Sequence, residues 1–307
     1  MPATGRRISK MISSIHYTHC PVCGSSAINP ILTAKDYTVS GENFVIWQCA
    51  DCTLRFTQDI PGADKIGHYY RSEEYISHTN ISKGLINRLY QIIRKRTLQR
   101  KRKLVCKLCG KDRGNLLDVG SGTGAFVQEM RQNGWRVVGL EPDGGAREIA
   151  SEHNCELRNI DELFGLQANS FDAITLWHVL EHIHDLHNYL QQFRKLLTQD
   201  GRLIIAVPNY ASFDASVYKE FWAAYDVPRH LYHFSPLSMN LLMERNQMKI
   251  IAYKPMWFDS FYVCLLSSKY KNKRTNWIAA TWNGFRSNFK AMNDVKRCSS
   301  IIYIIQK

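Results

Sequence analysis

The stretch LLDVGSGTGAF, Leu116 to Phe126, constrains this chain more than any other. A short apolar run passes through Gly120, Gly122 and Gly124 into a helical pattern, the layout of a buried strand, a tight loop and a helix start. Glycines let the backbone bend sharply and lie against a ligand, and the helix N-terminus behind them offers free N–H groups. The spacing Gly120-x-Gly122-x-x-Ala125 also fits a dinucleotide fingerprint, so the loop by itself admits a nicotinamide enzyme as readily as another nucleoside binder.

From Leu116 onward, apolar runs alternate with helical patterns: LLDVG, a helix from Ala125, VVGLE, a helix from Gly145, CELR, FDAITLW, a helix from Leu186 and RLIIAVP. That alternation is the grammar of an α/β parallel sheet with crossover helices. A helix in PLSMNLLMERNQ, a strand in MKIIAYKP, an irregular aromatic-rich stretch and a last strand, IIYIIQK, are predicted to follow. The 307 residues suffice for one large or two ordinary domains, and 45% hydrophobic with 22% charged residues excludes a mainly disordered, collagenous or disulfide-scaffold protein. Runs such as LIIAV and IIYII fall far short of the roughly 18 to 20 apolar residues that span a bilayer. The first fifteen residues lack the apolar core of a secretory signal, so a cytoplasmic protein is expected.

Asp118 lies in the strand before the glycines, Glu141 ends the next strand where a carboxylate can grip both hydroxyls of a ribose, and FDAITLWHVLEHI supplies a fourth strand. Through DVGSGTG, GLEPD, FDAITLWHVLEH and GRLIIAVPN, in that order, residues 116–307 resemble the class I S-adenosylmethionine-dependent methyltransferases. The resemblance implies a Rossmann-like, seven-stranded, mostly parallel, doubly wound sheet that ends in an antiparallel hairpin of MKIIAYKP and IIYIIQK. It also implies S-adenosylmethionine as cofactor, with Gly120, Gly122 and Gly124 under its methionine and ribose, Asp118 at its amino-acid end and Glu141 on the ribose hydroxyls. Asp161, or the neighbouring Ile160, would meet the adenine, and Trp177 and His178 would line the site.

Nine cysteines in a reducing compartment point to metal or catalytic chemistry before disulfides. Cys20-x2-Cys23 and Cys49-x2-Cys52 have zinc-ribbon spacing, with His19 as a substitute ligand. Four thiolates close a tetrahedron and leave no open position, so the zinc is structural. Cys106-x2-Cys109 has no partner knuckle and reads as two thiols on a helical turn, and Cys155, Cys264 and Cys298 are isolated. The two knuckles resemble the zinc-binding module that precedes the methyltransferase domain of certain bacterial sugar C-methyltransferases. That resemblance implies that KDYTVSGENFVIWQCADC and HYYRSEEYISH cover the substrate. The expected divisions are a zinc-ribbon-like module over 1–80, a basic linker helix over 81–115 and a methyltransferase domain over 116–307.

The net charge of +13 is lopsided: 19 basic against 8 acidic residues up to Asn115, 21 against 19 beyond it. The densest run, RKRTLQRKRKLVCKLCGK from Arg94, suits nucleic acid, an anionic membrane surface, a phosphorylated substrate or simply a solvated helix face. Methyl transfer from a sulfonium needs alignment, exclusion of water and a base only where the nucleophile carries a proton. YDVPRHLYHFSP offers His230 and His233 for that base. The cluster His178, Glu181, His182, His184, Asp185 and His187 resembles part of the ExxEH motif of some magnesium-dependent methyltransferases, with His178 in place of the first glutamate. It reads equally as a helix start whose carboxylates favour the dipole. The sequence thus points to methylation of a small molecule at oxygen or carbon, such as a nucleotide-linked sugar or a cell-surface or natural-product precursor. The alternatives are an RNA methyltransferase with the ribbon and basic helix as its platform, and a non-catalytic zinc-ribbon interaction module.

Overall fold

The computed structural model describes residues 14–70 and 85–307, the side chains of 85–94 excepted. Among the described residues, five short strands come first: β1 (Ser14–Ile15), β2 (Ile28–Lys35), β3 (Asn43–Cys49), β4 (Arg55–Thr57) and β5 (Ile60–Pro61). Helix α1 (Leu85–Cys109) leads to β6 (Asn115–Val119), α2 (Ala125–Gln132), β7 (Arg136–Leu140), α3 (Gly144–Glu152), β8 (Phe171–Trp177), α4 (Leu186–Leu196) and β9 (Leu197–Pro208). Then come α5 (Phe213–Tyr218), β10 (Tyr232–His233), α6 (Pro236–Arg245), β11 (Lys249–Pro255), α7 (Asp259–Asn272), α8 (Trp277–Asn293) and β12 (Ser300–Gln306).

The main sheet runs β11-β12-β9-β8-β6-β7, with β7, β6, β8 and β9 parallel and β12 and β11 antiparallel. Leu116, Leu117 and Val119 of β6 and Leu203 to Val207 of β9 are buried, the continuous apolar run of strands covered on both faces. Among the described residues the sheet has six strands where seven are expected. The CELR segment contributes only a single bridge, Leu140 to Arg158. It is hemmed in by the left-handed Asn154 before it and by Asn159, which caps a 3-10 turn over Ile160–Gly165, so too few residues remain extended to pair. A cleft of about 510 Å3 opens along this thin edge, lined by Arg131, Arg147, Glu148 and Arg158 and apart from the glycine loop.

The stretch expected to be irregular folds instead as the helical hairpin α7 and α8. Asn276 accepts from the Ala279 N–H to cap α8, and small residues on its inner face allow close packing on α7. Aromatic residues, the usual marker of a buried face, lie outside on α8.

A second sheet, β10-β4-β3-β2, is antiparallel and takes its fourth strand from far along the chain: Tyr232 pairs with Phe56 and His233 with Arg55. Cys20, Val22, Cys49, Leu54 and Phe56 share one apolar core with Leu231, Tyr232 and Phe234. Buried Arg229 joins the same parts, donating to Asp36 at 3.0 Å, to Asp226 at 2.7 Å and to the Thr38 hydroxyl. Despite burial, Arg229 and backbone N–H groups hold the Asp36 carboxyl below the usual range. The expected boundary at 80/81 and residues 71–78 of HYYRSEEYISH lie outside the described residues. Val105 of α1 is buried, with Leu104, Cys106 and Cys109 partly buried beside it against the sheet, so most of the basic run, Lys101 and Arg102 excepted, lies on the exposed side of a packed helix. Among the described residues no helix is long and apolar enough to cross a membrane.

Candidate active site

Gly120, Gly122 and Gly124 follow β6 with φ of 69°, 54° and 77°, a left-handed path that favours glycine. A Cβ on Gly120 would lie 2.4 Å from Val179, and one on Gly124 would lie 2.6 Å from the Cys155 sulfur. Gly122 faces open space. Its N–H donates to Glu141 Oε2 at 2.7 Å, and the Asp143 N–H donates to Glu141 Oε1 at 3.0 Å. A carboxylate has about four lone-pair positions. One on each oxygen therefore remains beside the open face of the loop, the pattern that two adjacent hydroxyls require. Burial raises the Glu141 pKa, and the two N–H donors pull against it.

Asp118, wholly enclosed, accepts the Thr175 hydroxyl at 2.6 Å. Burial pushes its pKa up to about 6 against that bond and the charge of Lys101. Lys101 reaches in from α1, 4.3 Å from the Trp177 ring centroid, and burial lowers it to about 8 while Asp118 and Asp259 oppose the change. Trp177 stands edge-on to Phe126 at 5.7 Å, its indole nitrogen buried without a hydrogen-bond partner among the described residues. His178 has a left-handed φ of 59°; its Nε2 lies 2.9 Å from Asp259 Oδ2 and its Nδ1 3.4 Å from Glu181 Oε1. Burial, the largest single influence, would lower its pKa, but the bonds and charges of Asp259 and Glu181 together outweigh it and raise it to about 10. At neutral pH His178 is a cation and no base. Asp161 stands apart from this group, exposed at the start of the Ile160–Gly165 turn with its N–H held by Asn159.

On the other side, the turn Leu180–His182 buries Glu181 completely, and neither carboxylate oxygen has a well-formed hydrogen bond. Burial would raise its pKa, but His178 holds it down. His182 Nδ1 lies 2.9 Å from the Arg229 carbonyl and 2.9 Å from the Tyr70 hydroxyl, and His230 Nδ1 lies 2.8 Å from the Ala224 carbonyl. A carbonyl only accepts, so each Nδ1 carries the proton and each Nε2 keeps its lone pair. The rings are 4.7 Å apart, and one ligand atom each of Glu181, His182 and His230 lie within 4.8 Å of one another. Such a group can accept a proton or hold a divalent cation.

His233 is placed differently. Its Nε2 is 3.2 Å from Thr57 Oγ1, whose own proton goes to the His230 carbonyl at 2.8 Å, so His233 donates. Burial keeps it neutral, packed 5.0 Å from Tyr225 in the seam between β10 and β4. His184 and His187 touch the carbonyls of Pro61 and Pro21, and Asp185 caps α4. Five members of the sequence cluster thus divide between the site, which takes His178, Glu181 and His182, and the seam that holds the ribbon, which takes His184 and His187.

The four knuckle cysteines converge as free thiols. Sulfur separations are 3.4 Å for Cys20–Cys52 and 3.5 Å for Cys23–Cys49, with all four sulfurs within 4.8 Å of one another. Zinc–sulfur bonds of about 2.3 Å in a tetrahedron require sulfurs about 3.8 Å apart, so the donor set fits zinc. Lys101, Asp226, Asp259 and Tyr70 escape the sequence reading. Lys101 is hidden in a basic run, and Asp259 opens a helix in a stretch without a motif. The Asp226-x-x-Arg229-His230 spacing is the available signal for the third.

A family model described as a methyltransferase domain matches residues 90–253, more than half of the chain. Over 106 residues the chain is 29% identical to an uncharacterized methyltransferase of Alkaliphilus oremlandii, covering 33% of this chain and 49% of that one. It is 27% identical over 129 residues to a ubiquinone biosynthesis O-methyltransferase of Xanthomonas oryzae pv. oryzae, covering 39% and 54%. The chain therefore spans about half the length of these curated relatives. Among solved structures, the PH0226 protein from Pyrococcus horikoshii superposes with a TM-score of 0.49 at 15% identity, over 77% of this chain and 99% of that one.

Proposed function

The chain belongs to the methyltransferase-domain family matched over residues 90–253, and from that premise we propose that it moves a methyl group from S-adenosylmethionine to a small-molecule acceptor. One observation carries the reading. The open face of the loop at Gly122 coincides with two spare lone pairs on buried Glu141, a fit for the cofactor's ribose. Asp118, Trp177 and His178 at the neighbouring strand ends are the candidate contacts for the rest of the cofactor, with Asp161 the candidate at the adenine. The cofactor supplies an activated methyl group when bound.

His230 is the candidate base. Its lone pair at Nε2 faces a buried carboxylate, and the acceptor's proton would move to that nitrogen as the new bond to methyl forms and the sulfur–methyl bond breaks. The tie to Thr57 gives His233 a positioning role. The ubiquinone biosynthesis O-methyltransferases among the relatives favour oxygen over carbon as the nucleophile. Cys20, Cys23, Cys49 and Cys52 would hold a structural zinc, which orders the ribbon that donates its edge to β10.

A second reading of the acceptor side is a divalent cation on Glu181, His182 and His230. It is favoured by imidazoles whose Nδ1 protons both go to backbone carbonyls, the usual support of a ligating Nε2. Incubation of the zinc-replete protein with methyl-labelled S-adenosylmethionine and pools of phenols, nucleotide-sugars and RNA tests the proposal. Label in a small molecule that survives chelation under conditions leaving the ribbon zinc in place supports the base reading. Label confined to RNA overturns the choice of acceptor, and absence of transfer to every pool supports the interaction module.

A further inference from the structure

Helix α8 is built inside out. Its inner face holds Ala280, Gly284, Ser287 and Ala291, packed so closely on α7 that a Cβ on Gly284 would lie 2.7 Å from the Phe261 ring. Its outer face carries Ile278, Trp282, Phe285, Phe289 and Met292, at 85, 64, 58, 66 and 71% exposure. At about 100° per residue these five fall in one stripe opposite the small residues. A surface helix ordinarily turns its apolar stripe toward the core, so here a continuous apolar face is left in water. Trp257 and Phe258, both partly exposed at the start of α7, prolong it, and Asn288 of α8 holds the Trp257 carbonyl at 2.9 Å.

Charge selects what covers this face. Between Asp259 and Asp294 there is no acidic residue, while Lys269, Lys271, Lys273, Arg274, Arg286 and Lys290 contribute six positive charges. Arg286 and Lys290 lie along one flank over Phe213, and Arg100 of the basic helix α1 stands 5.5 Å from the Phe258 ring centroid. Rings and aliphatic chains bordered by lysine and arginine match the boundary of an anionic bilayer, where the apolar face enters the acyl region and the cations meet phosphates. Two copies docked stripe to stripe would bring like charges together.

We propose that α8 and the start of α7 seat the protein on an anionic lipid surface, lying in the interface without crossing it. The docked hairpin begins at Asp259, the partner of His178, so the lipid surface adjoins the candidate active site. An amphiphilic acceptor held in that surface would reach the site without passing through water.

Sedimentation of the full-length protein with vesicles of phosphatidylcholine alone, and of phosphatidylcholine with phosphatidylglycerol, tests this. The wild type is expected to bind the anionic vesicles about tenfold more tightly than the neutral ones. The double substitution Trp282→Glu/Phe289→Glu, at two exposed positions, abolishes the binding. Lys271→Glu/Lys273→Glu, which leaves the stripe intact, weakens it. Failure of the wild type to pellet with anionic vesicles overturns the proposal, as does pelleting that Trp282→Glu/Phe289→Glu leaves unchanged. A dimer in solution that the stripe substitutions dissolve, without vesicle binding, assigns the face to a second copy instead.

Discussion

The loop around Gly122 and the cluster around Glu181 follow the C-terminal ends of the neighbouring strands β6 and β8, but one is made of backbone and the other of side chains. The loop needs three left-handed glycines and one carboxylate at the end of the next strand, all within Gly120 to Glu141. The cluster draws Glu181 and His182 from one turn and His230 from a distant segment, which is fixed by Arg229 to Asp36 of the ribbon. A backbone cradle is specified locally; a cluster of titratable groups exists only after the ribbon, the sheet and the segment around β10 have packed. The two halves should therefore fail separately.

Removal of zinc is the largest test of that separation. Closed tetrathiolate sites contribute on the order of 10 kcal/mol to folding. Cys49→Ser is expected to lose about one zinc per chain and the order of β2 to β4. His233, His184 and His187 lose their ribbon partners, so methyl transfer should vanish while S-adenosylhomocysteine still binds. Measured zinc content beside a binding titration checks this, and loss of cofactor binding together with the zinc breaks the separation.

Replacement of the candidate base is next. His230→Ala should lower kcat by about 10²- to 10⁴-fold with little change in cofactor affinity, read from steady-state kinetics. An unchanged kcat would move the base elsewhere, or leave none needed.

Two neighbouring glycines should then respond differently. Gly120→Ala places a methyl group against Val179 and is expected to cost about 1 to 3 kcal/mol of stability in denaturant melts. Gly122→Ala meets no neighbour, so its cost is limited to about 1 kcal/mol of backbone strain, and its main effect should be on cofactor affinity.

The smallest effect is a pH signature on the side-chain half. His178 is raised from 6.5 to about 10 in the folded state, so its stabilisation is complete below pH 6.5 and fades as pH rises through about 10. Asp259→Asn should bring the His178 titration down, as seen by NMR of the imidazole. It should lower Tm at neutral pH and converge with wild type above pH 10.

Much of the cofactor half is legible in the sequence because its determinants are contiguous: apolar strand, glycine loop, next strand, carboxylate. The two knuckles are legible for the same reason. The seventh strand is overestimated because the alternating tetrapeptide CELR has no room to pair once Asn154 and Asn159 turn the chain. The apolar stripe of α8 recurs at helical spacing in the sequence, so the helix itself is open to a periodicity reading, and what stays invisible is that the stripe faces outward. The choice between His230 and His233 is invisible in YDVPRHLYHFSP. It depends on which ring meets Thr57 of the ribbon and which meets Glu181, a matter of tertiary packing.

The most direct measurement is calorimetric titration of S-adenosylhomocysteine into wild type, Glu141→Ala and His230→Ala. Wild type and His230→Ala should bind alike, and Glu141→Ala should lose on the order of 100-fold in affinity from two hydroxyl bonds to a charged acceptor. Equal loss in both variants, or no binding to folded wild type, would contradict a cofactor half that stands independently of the side-chain cluster.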